Sequence, residues 1–208
     1  MLFKRKCKIT FVAHGATIYT DENRICDKES HPPLNEVGQE EAEKIAKWVA
    51  LRSPQVDKIY TGASLSCVQT ANFLAKEYNQ DFEILPELKN QEFGIWKGLT
   101  FNEIEKRFPE MLKKYHDLTS SFAPEGGESL LDFGNRVEDT VNKIITDNLT
   151  RRIVIVTHSN FIRAAIRNAL NLPAENQNRV FVPTGSATQI KYYKSWNILM
   201  YSGHVPLQ

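Results

Sequence analysis

Apolar positions along this chain alternate between two patterns: short unbroken runs, and longer stripes with a 3.6-residue repeat. The runs read as strands buried on both faces, the stripes as helices with one face against a core. Ile9-Thr10-Phe11-Val12 is such a run, and it stops abruptly at Ala13-His14-Gly15. Tyr19 to Pro33 is polar and turn-rich, a long loop expected over a pocket mouth. Leu34-Asn35-Glu36-Val37-Gly38 then leads into a helix reaching Leu51, capped by Asn35, with Ala42, Ile45, Ala46, Val49 and Ala50 on one face. Val56–Tyr60 reads as a second strand, Ser64–Tyr78 as a helix and Phe82–Leu85 as a third strand. This βαβαβ order implies parallel strands with right-handed crossovers.

Leu88–Leu99 is an aromatic, glycine-containing loop, and Thr100–Tyr115 is helical with a break at Pro109. After a small-residue loop over Ser120–Glu128, Ser129 caps a helix running to Ile145. Residues 153–157 form another β-branched run that breaks at a histidine, His158, before a helix over Asn160–Leu170. Beyond the irregular 171–185 stretch, segments 187–193 and 196–201, joined at Lys194-Ser195, form a terminal hairpin. No repeat or linker interrupts the pattern. Residues 1–208 are expected to form a single domain, a three-layer α/β/α sandwich with a mostly parallel central sheet.

Composition narrows the function. A chain of 208 residues that is 41% hydrophobic can bury a full core. Its net charge of +1, with both signs interspersed, argues against nucleic acid or an anionic membrane as partner. Cys7, Cys26 and Cys67 are scattered without zinc spacing, so reduced thiols and no metal are expected. The basic start, Met1 to Lys6, runs into a strand rather than a signal-length apolar segment, and the expected location is cytoplasmic. No cofactor is expected.

The chemistry-bearing feature is the pair of histidines at strand ends. In parallel α/β sheets ligands sit beyond the carboxyl ends of the strands, where His14 and His158 could face each other. A neutral imidazole there can attack phosphorus, with backbone N–H groups of a helix N-terminus around the oxygens. A histidine beside an apolar strand is more usually a hydrogen-bonded structural residue. His31 and His116, in polar surroundings, and His204 in the tail read as solvated or structural, and Cys67, Phe93 and Trp96 as core.

Val12 to Arg24 resembles the entry motif of the histidine phosphatase superfamily, which includes the phosphoglycerate mutases. The likeness continues through Pro33-Leu34-Asn35-Glu36-Val37-Gly38, Gln69-Thr70-Ala71, Phe93-Gly94-Ile95-Trp96-Lys97-Gly98-Leu99-Thr100, Pro124-Glu125-Gly126-Gly127-Glu128-Ser129 and Thr157-His158-Ser159-Asn160-Phe161-Ile162-Arg163. The resemblance implies a phosphoglycerate mutase-like fold, His14 as the residue that accepts a phosphoryl group, and His158 as a contact to its oxygens. It also implies pocket roles for Gly15, Arg24, Glu128 and Ser159.

At the charged positions the chain departs from that pattern. Ala13 and Ser66 stand where the resemblance implies arginines, Asn90 where it implies the proton-donating glutamate, and Thr20 where it implies an asparagine. Two lost arginine–phosphate contacts, at about 1.5–3 kcal/mol each, weaken ground-state binding by roughly 10²–10⁴-fold. The missing acid removes another factor of about 10²–10⁴. The expectation is a catalytically impaired or non-catalytic member, binding a small phosphorylated or less charged ligand or a protein partner. The alternative is a phosphatase, rather than a mutase, of small phosphoesters through a phosphohistidine at His14, with Lys89 and Lys97 supplying compensating charge.

Overall fold

The computed structural model describes residues 5–26, 32–116 and 120–206. His31 and part of the stretch expected as a loop over the pocket mouth lie outside the described residues. β1 (Arg5–Ala13) is followed by a single helical turn, α1 (Ile18–Asp21), where a loop was expected. A reciprocal cap between Thr17 and Thr20 makes that turn. Next come α2 (Glu36–Arg52), β2 (Lys58–Thr61), α3 (Leu65–Tyr78) and β3 (Phe82–Ile84). Helices α4 (Phe101–Arg107) and α5 (Pro109–His116) are the two pieces that Pro109 separates. The chain closes with α6 (Leu130–Asp147), β4 (Arg152–Thr157), α7 (Ser159–Ala169), β5 (Ala187–Tyr193) and β6 (Asn197–His204).

The capping residues read from the sequence set the helix starts. Asn35 accepts a hydrogen bond from Gly38 N at 2.8 Å, and Ser129 accepts one from Asp132 N at 3.0 Å. Each satisfies an N–H group that the first helical turn leaves without an intrahelical acceptor.

The six strands lie in the order β3-β2-β4-β1-β5-β6. The first four are mutually parallel, while β5 and β6 complete the sheet as an antiparallel edge. β4 therefore separates β1 from β2, which local order alone does not reveal. Period-two alternation sorts side chains to opposite faces. Ile9, Phe11, Ile153 and Ile155 pack with α6 and α7, whereas Val12, Ile59, Val154 and Val156 pack with α2 and α3. These are the three layers.

A third apolar cluster of Ile25, Phe93, Trp96, Ile104 and Leu112 joins the loop after β3 to α4 and α5. It stands over the carboxyl end of the sheet and walls the site below. Among the described residues, no helix is long and apolar enough to cross a membrane.

Candidate functional site

β1 and β4 are neighbouring parallel strands in which Ala13 lies beside Thr157. The next residue on each is a histidine, so His14 and His158 leave the sheet side by side. Their rings meet edge to face, with centroids 4.9 Å apart and planes at 81°. Nδ1 of His14 is 2.8 Å from the Gly15 carbonyl oxygen. A carbonyl only accepts, so Nδ1 carries the proton and Nε2 holds the lone pair. Burial lowers the His14 pKa against the opposing pull of that hydrogen bond, which favours the neutral ring. This is the tautomer of a nucleophile.

His158 is buried, with Nε2 3.3 Å from Ser64 Oγ and 3.8 Å from Cys67 Sγ. Burial pushes the Cys67 thiol up to about 12, so no thiolate competes there.

The turn carrying His14 is held by the residues of the recognisable motifs. Gly38 packs backbone to backbone against this turn: a Cβ on Gly15 would overlap the Gly38 main chain, and a Cβ on Gly38 would overlap that of Ala16. Thr70 accepts from Gly15 N at 3.2 Å, Glu41 from Ala16 N at 2.8 Å, and Gln69 from Leu34 N at 2.7 Å. Most of the motif residues thus serve the backbone and leave the ligand to others.

A cavity of about 440 Å³ opens over the two histidines. Thr20, Arg24, Ser66 and Asn90 line it. Ala13 does not: it is fully buried in the core under α6 and α7. The Thr20 hydroxyl is engaged in its cap with Thr17, and Asn90 Oδ1 accepts from Gln91 N at 2.9 Å. Arg24 turns its guanidinium to Glu22 (2.7 Å) and the Gly98 carbonyl (2.6 Å).

The two lysines considered as replacements for the arginines take a different partner. Lys89 and Lys97 both bind Glu92, at 3.1 and 2.5 Å. Burial pushes the Glu92 pKa up, but the hydrogen bonds from Lys97 and Lys89 outweigh it and hold the carboxylate ionised. All three line a smaller neighbouring cavity of about 340 Å³ that meets the first at Cys26, Asn90 and His158.

Glu128 also faces away from the cavity. Its carboxylate forms a two-pronged bridge to Arg136, at 2.7 and 2.9 Å, and accepts from Glu92 N. Arg136 reaches on to the Asn90 carbonyl at 3.0 Å, so this pair fixes the backbone of the loop that presents Asn90. Ser159 opens α7 and lines neither cavity.

Arg163 is the residue that sequence reasoning passed over as part of a motif. It lies one helical turn beyond Asn160 on α7 and lines the cavity with it. Its Nη1 donates to Asn160 Oδ1 at 3.0 Å, while its buried Nε has no hydrogen-bond partner. Burial lowers its pKa, and among the described residues that line the cavity there is no carboxylate to balance it. The pairing of a histidine with an arginine five positions on was the available signal. Only the tertiary structure shows which way that arginine turns.

A parallel-sheet α/β sandwich with two imidazoles at adjacent strand tips defines a class built to present histidine to a ligand. The chain belongs to the histidine phosphatase superfamily, branch 1, whose profile matches residues 9–201. A bifunctional protein of Mycobacterium tuberculosis is 27% identical over 89% of this chain, and the chain spans half of that relative's length. A glucosyl-3-phosphoglycerate phosphatase of Mycolicibacterium vanbaalenii is 27% identical over 81% of this chain and 76% of its own. Among solved structures, a mycobacterial glucosyl-3-phosphoglycerate phosphatase superposes with a TM-score of 0.83 at 22% identity, covering 96% of this chain and 99% of the other. That likeness concerns the fold.

Proposed function

We propose that this chain uses the histidine phosphatase fold to bind a small organic ligand bearing a single negative charge, and that ordinary phosphomonoester turnover is strongly impaired. One observation carries the reading. Ala13 and Ser66 stand at both expected arginine positions, and among the described residues Arg24, Lys89 and Lys97 are each turned to carboxylates rather than to those seats. Among the described residues that line the cavity, Arg163 is the cation with no carboxylate beside it, which suits a monoanion better than a phosphate dianion. Neutral hydrogen-bonding groups on Ser66, Asn90 and Asn160 suit the remainder of a polar ligand.

The full chain, assayed against a panel of aryl and sugar phosphates beside His14→Ala, is expected to give no turnover that depends on His14. Turnover at rates usual for enzymes, about 1–10³ per second, and abolished by that substitution, would overturn the proposal.

A second reading rests on the His14 tautomer. Nε2 attacks phosphorus, the ester P–O bond breaks, and the alkoxide takes a proton from water. Water then attacks the phosphohistidine, releasing inorganic phosphate and restoring the ring. An acid-labile, base-stable phosphoryl group on His14 during incubation with a phosphoester would favour this reading over the first.

A further inference from the structure

A separate cleft of about 300 Å³ lies between α6, α7 and the β5–β6 hairpin. It sits at the far end of α7 from His158, and eleven helical residues place about 16 Å between the two ends. Its size is at the lower limit of small-molecule sites. None of its lining residues belongs to the cavity over the histidines.

The floor is apolar, formed by Val141, Ile145 and Ala169. Against that floor stands Tyr192, only 7% exposed, with a buried hydroxyl oxygen that has no hydrogen-bond partner. A buried hydroxyl left unsatisfied is destabilising, and the apolar floor offers it nothing. Burial also raises its pKa, so the group is a neutral phenol able to donate.

One wall is the stacked pair Tyr193 and Trp196, with ring centroids 5.0 Å apart and planes within 12° of each other. Trp196 is 44% exposed. Among the described residues, the lining holds Lys6 and Lys194 with one acid, Glu138, an excess of one positive charge.

We propose that this cleft binds a heteroaromatic ring carrying an anionic substituent, of which a nucleoside monophosphate is the simplest class. A ring nitrogen accepts the proton of the Tyr192 hydroxyl, the ring face packs by Trp196, and the anion lies towards Lys6 and Lys194. Three features then act on one ligand: a donor that lacks a partner, an aromatic wall and a basic rim.

Calorimetric titration of the full chain with adenosine 5′-monophosphate tests this, with adenosine and ribose 5-phosphate as probes lacking the charge or the ring. Saturable binding of the nucleotide is expected, weaker for either fragment. Tyr192→Phe removes one oxygen and should weaken nucleotide binding by about 10-fold, the worth of one hydrogen bond, while raising the urea midpoint of the free protein. Trp196→Ala should weaken it too, and His14→Ala should leave it unchanged. No saturable binding, ribose 5-phosphate binding as tightly as the nucleotide, or affinity lost in His14→Ala but kept in Tyr192→Phe would each overturn the proposal. The last result would assign the nucleotide to the histidine cavity.

Discussion

Installing an arginine at position 66 and a glutamate at position 90 asks directly whether missing charge is what limits chemistry at His14. Ser66 lies in the first turn of α3, is 4% exposed, and lines the cavity with both histidines. Its carbonyl already accepts from Thr70 at 2.8 Å, so the backbone that would carry Ser66→Arg is anchored. Asn90 lies on backbone held by Arg136, so a carboxyl introduced by Asn90→Glu would be presented from a fixed loop. One arginine–phosphate contact is worth about 1.5–3 kcal/mol, or roughly 10–100-fold in kcat/KM. A restored general acid is worth about 10²–10⁴-fold, but only where the leaving group needs a proton.

The two substitutions should therefore separate by substrate. Ser66→Arg is expected to raise turnover of both an aryl and an alkyl phosphate. Asn90→Glu should raise turnover of the alkyl ester alone, since an aryl oxide departs unaided. The assay is phosphate release under single-turnover conditions, with His14→Ala in each background. If the folded double variant, with an unchanged urea midpoint, gains no turnover that depends on His14, the reasoning from absent charge fails.

Further expectations concern the scaffold and the ring. The His14 pKa is depressed on folding, so its stabilising contribution is present above the ordinary imidazole value of 6.5 and is lost as pH falls below it. Urea unfolding of His14→Gln should accordingly lose less stability than the parent between about pH 7 and pH 5. Gly38→Ala drives a methyl group into the Ala16 backbone, where neither main chain can yield locally. A loss of about 1–3 kcal/mol is expected, lowering Tm by about 2–4 °C per kcal/mol. Arg136→Met removes the two-pronged bridge to Glu128 and the bond to the Asn90 carbonyl, both partly shielded from water, together with an exposed bond to the Glu87 carbonyl. Stability should fall by about 2–3 kcal/mol, with faster amide exchange over residues 89–92 measured by mass spectrometry.

Much of the molecule was legible in short-range pattern. The strand runs around Phe11 and Ile155, the caps at Asn35 and Ser129, and the break at Pro109 depend on neighbours within one or two turns. So did the two strand-end histidines, and the substitutions at Ala13, Ser66 and Asn90 could be counted from motifs beside them. What lay beyond that range was who meets whom. The sheet order places β4 against β1, and only that pairing brings His14 and His158 into contact. Charges likewise choose partners in three dimensions: Glu92 gathers Lys89 and Lys97, Arg136 claims Glu128, and Arg163 is left facing a cavity with no acid among its described lining residues. Periodicity and capping are set by local geometry and so survive in one dimension. Strand pairing and the neutralisation of charge are settled by competition among groups remote in the chain, and therefore by the folded protein alone.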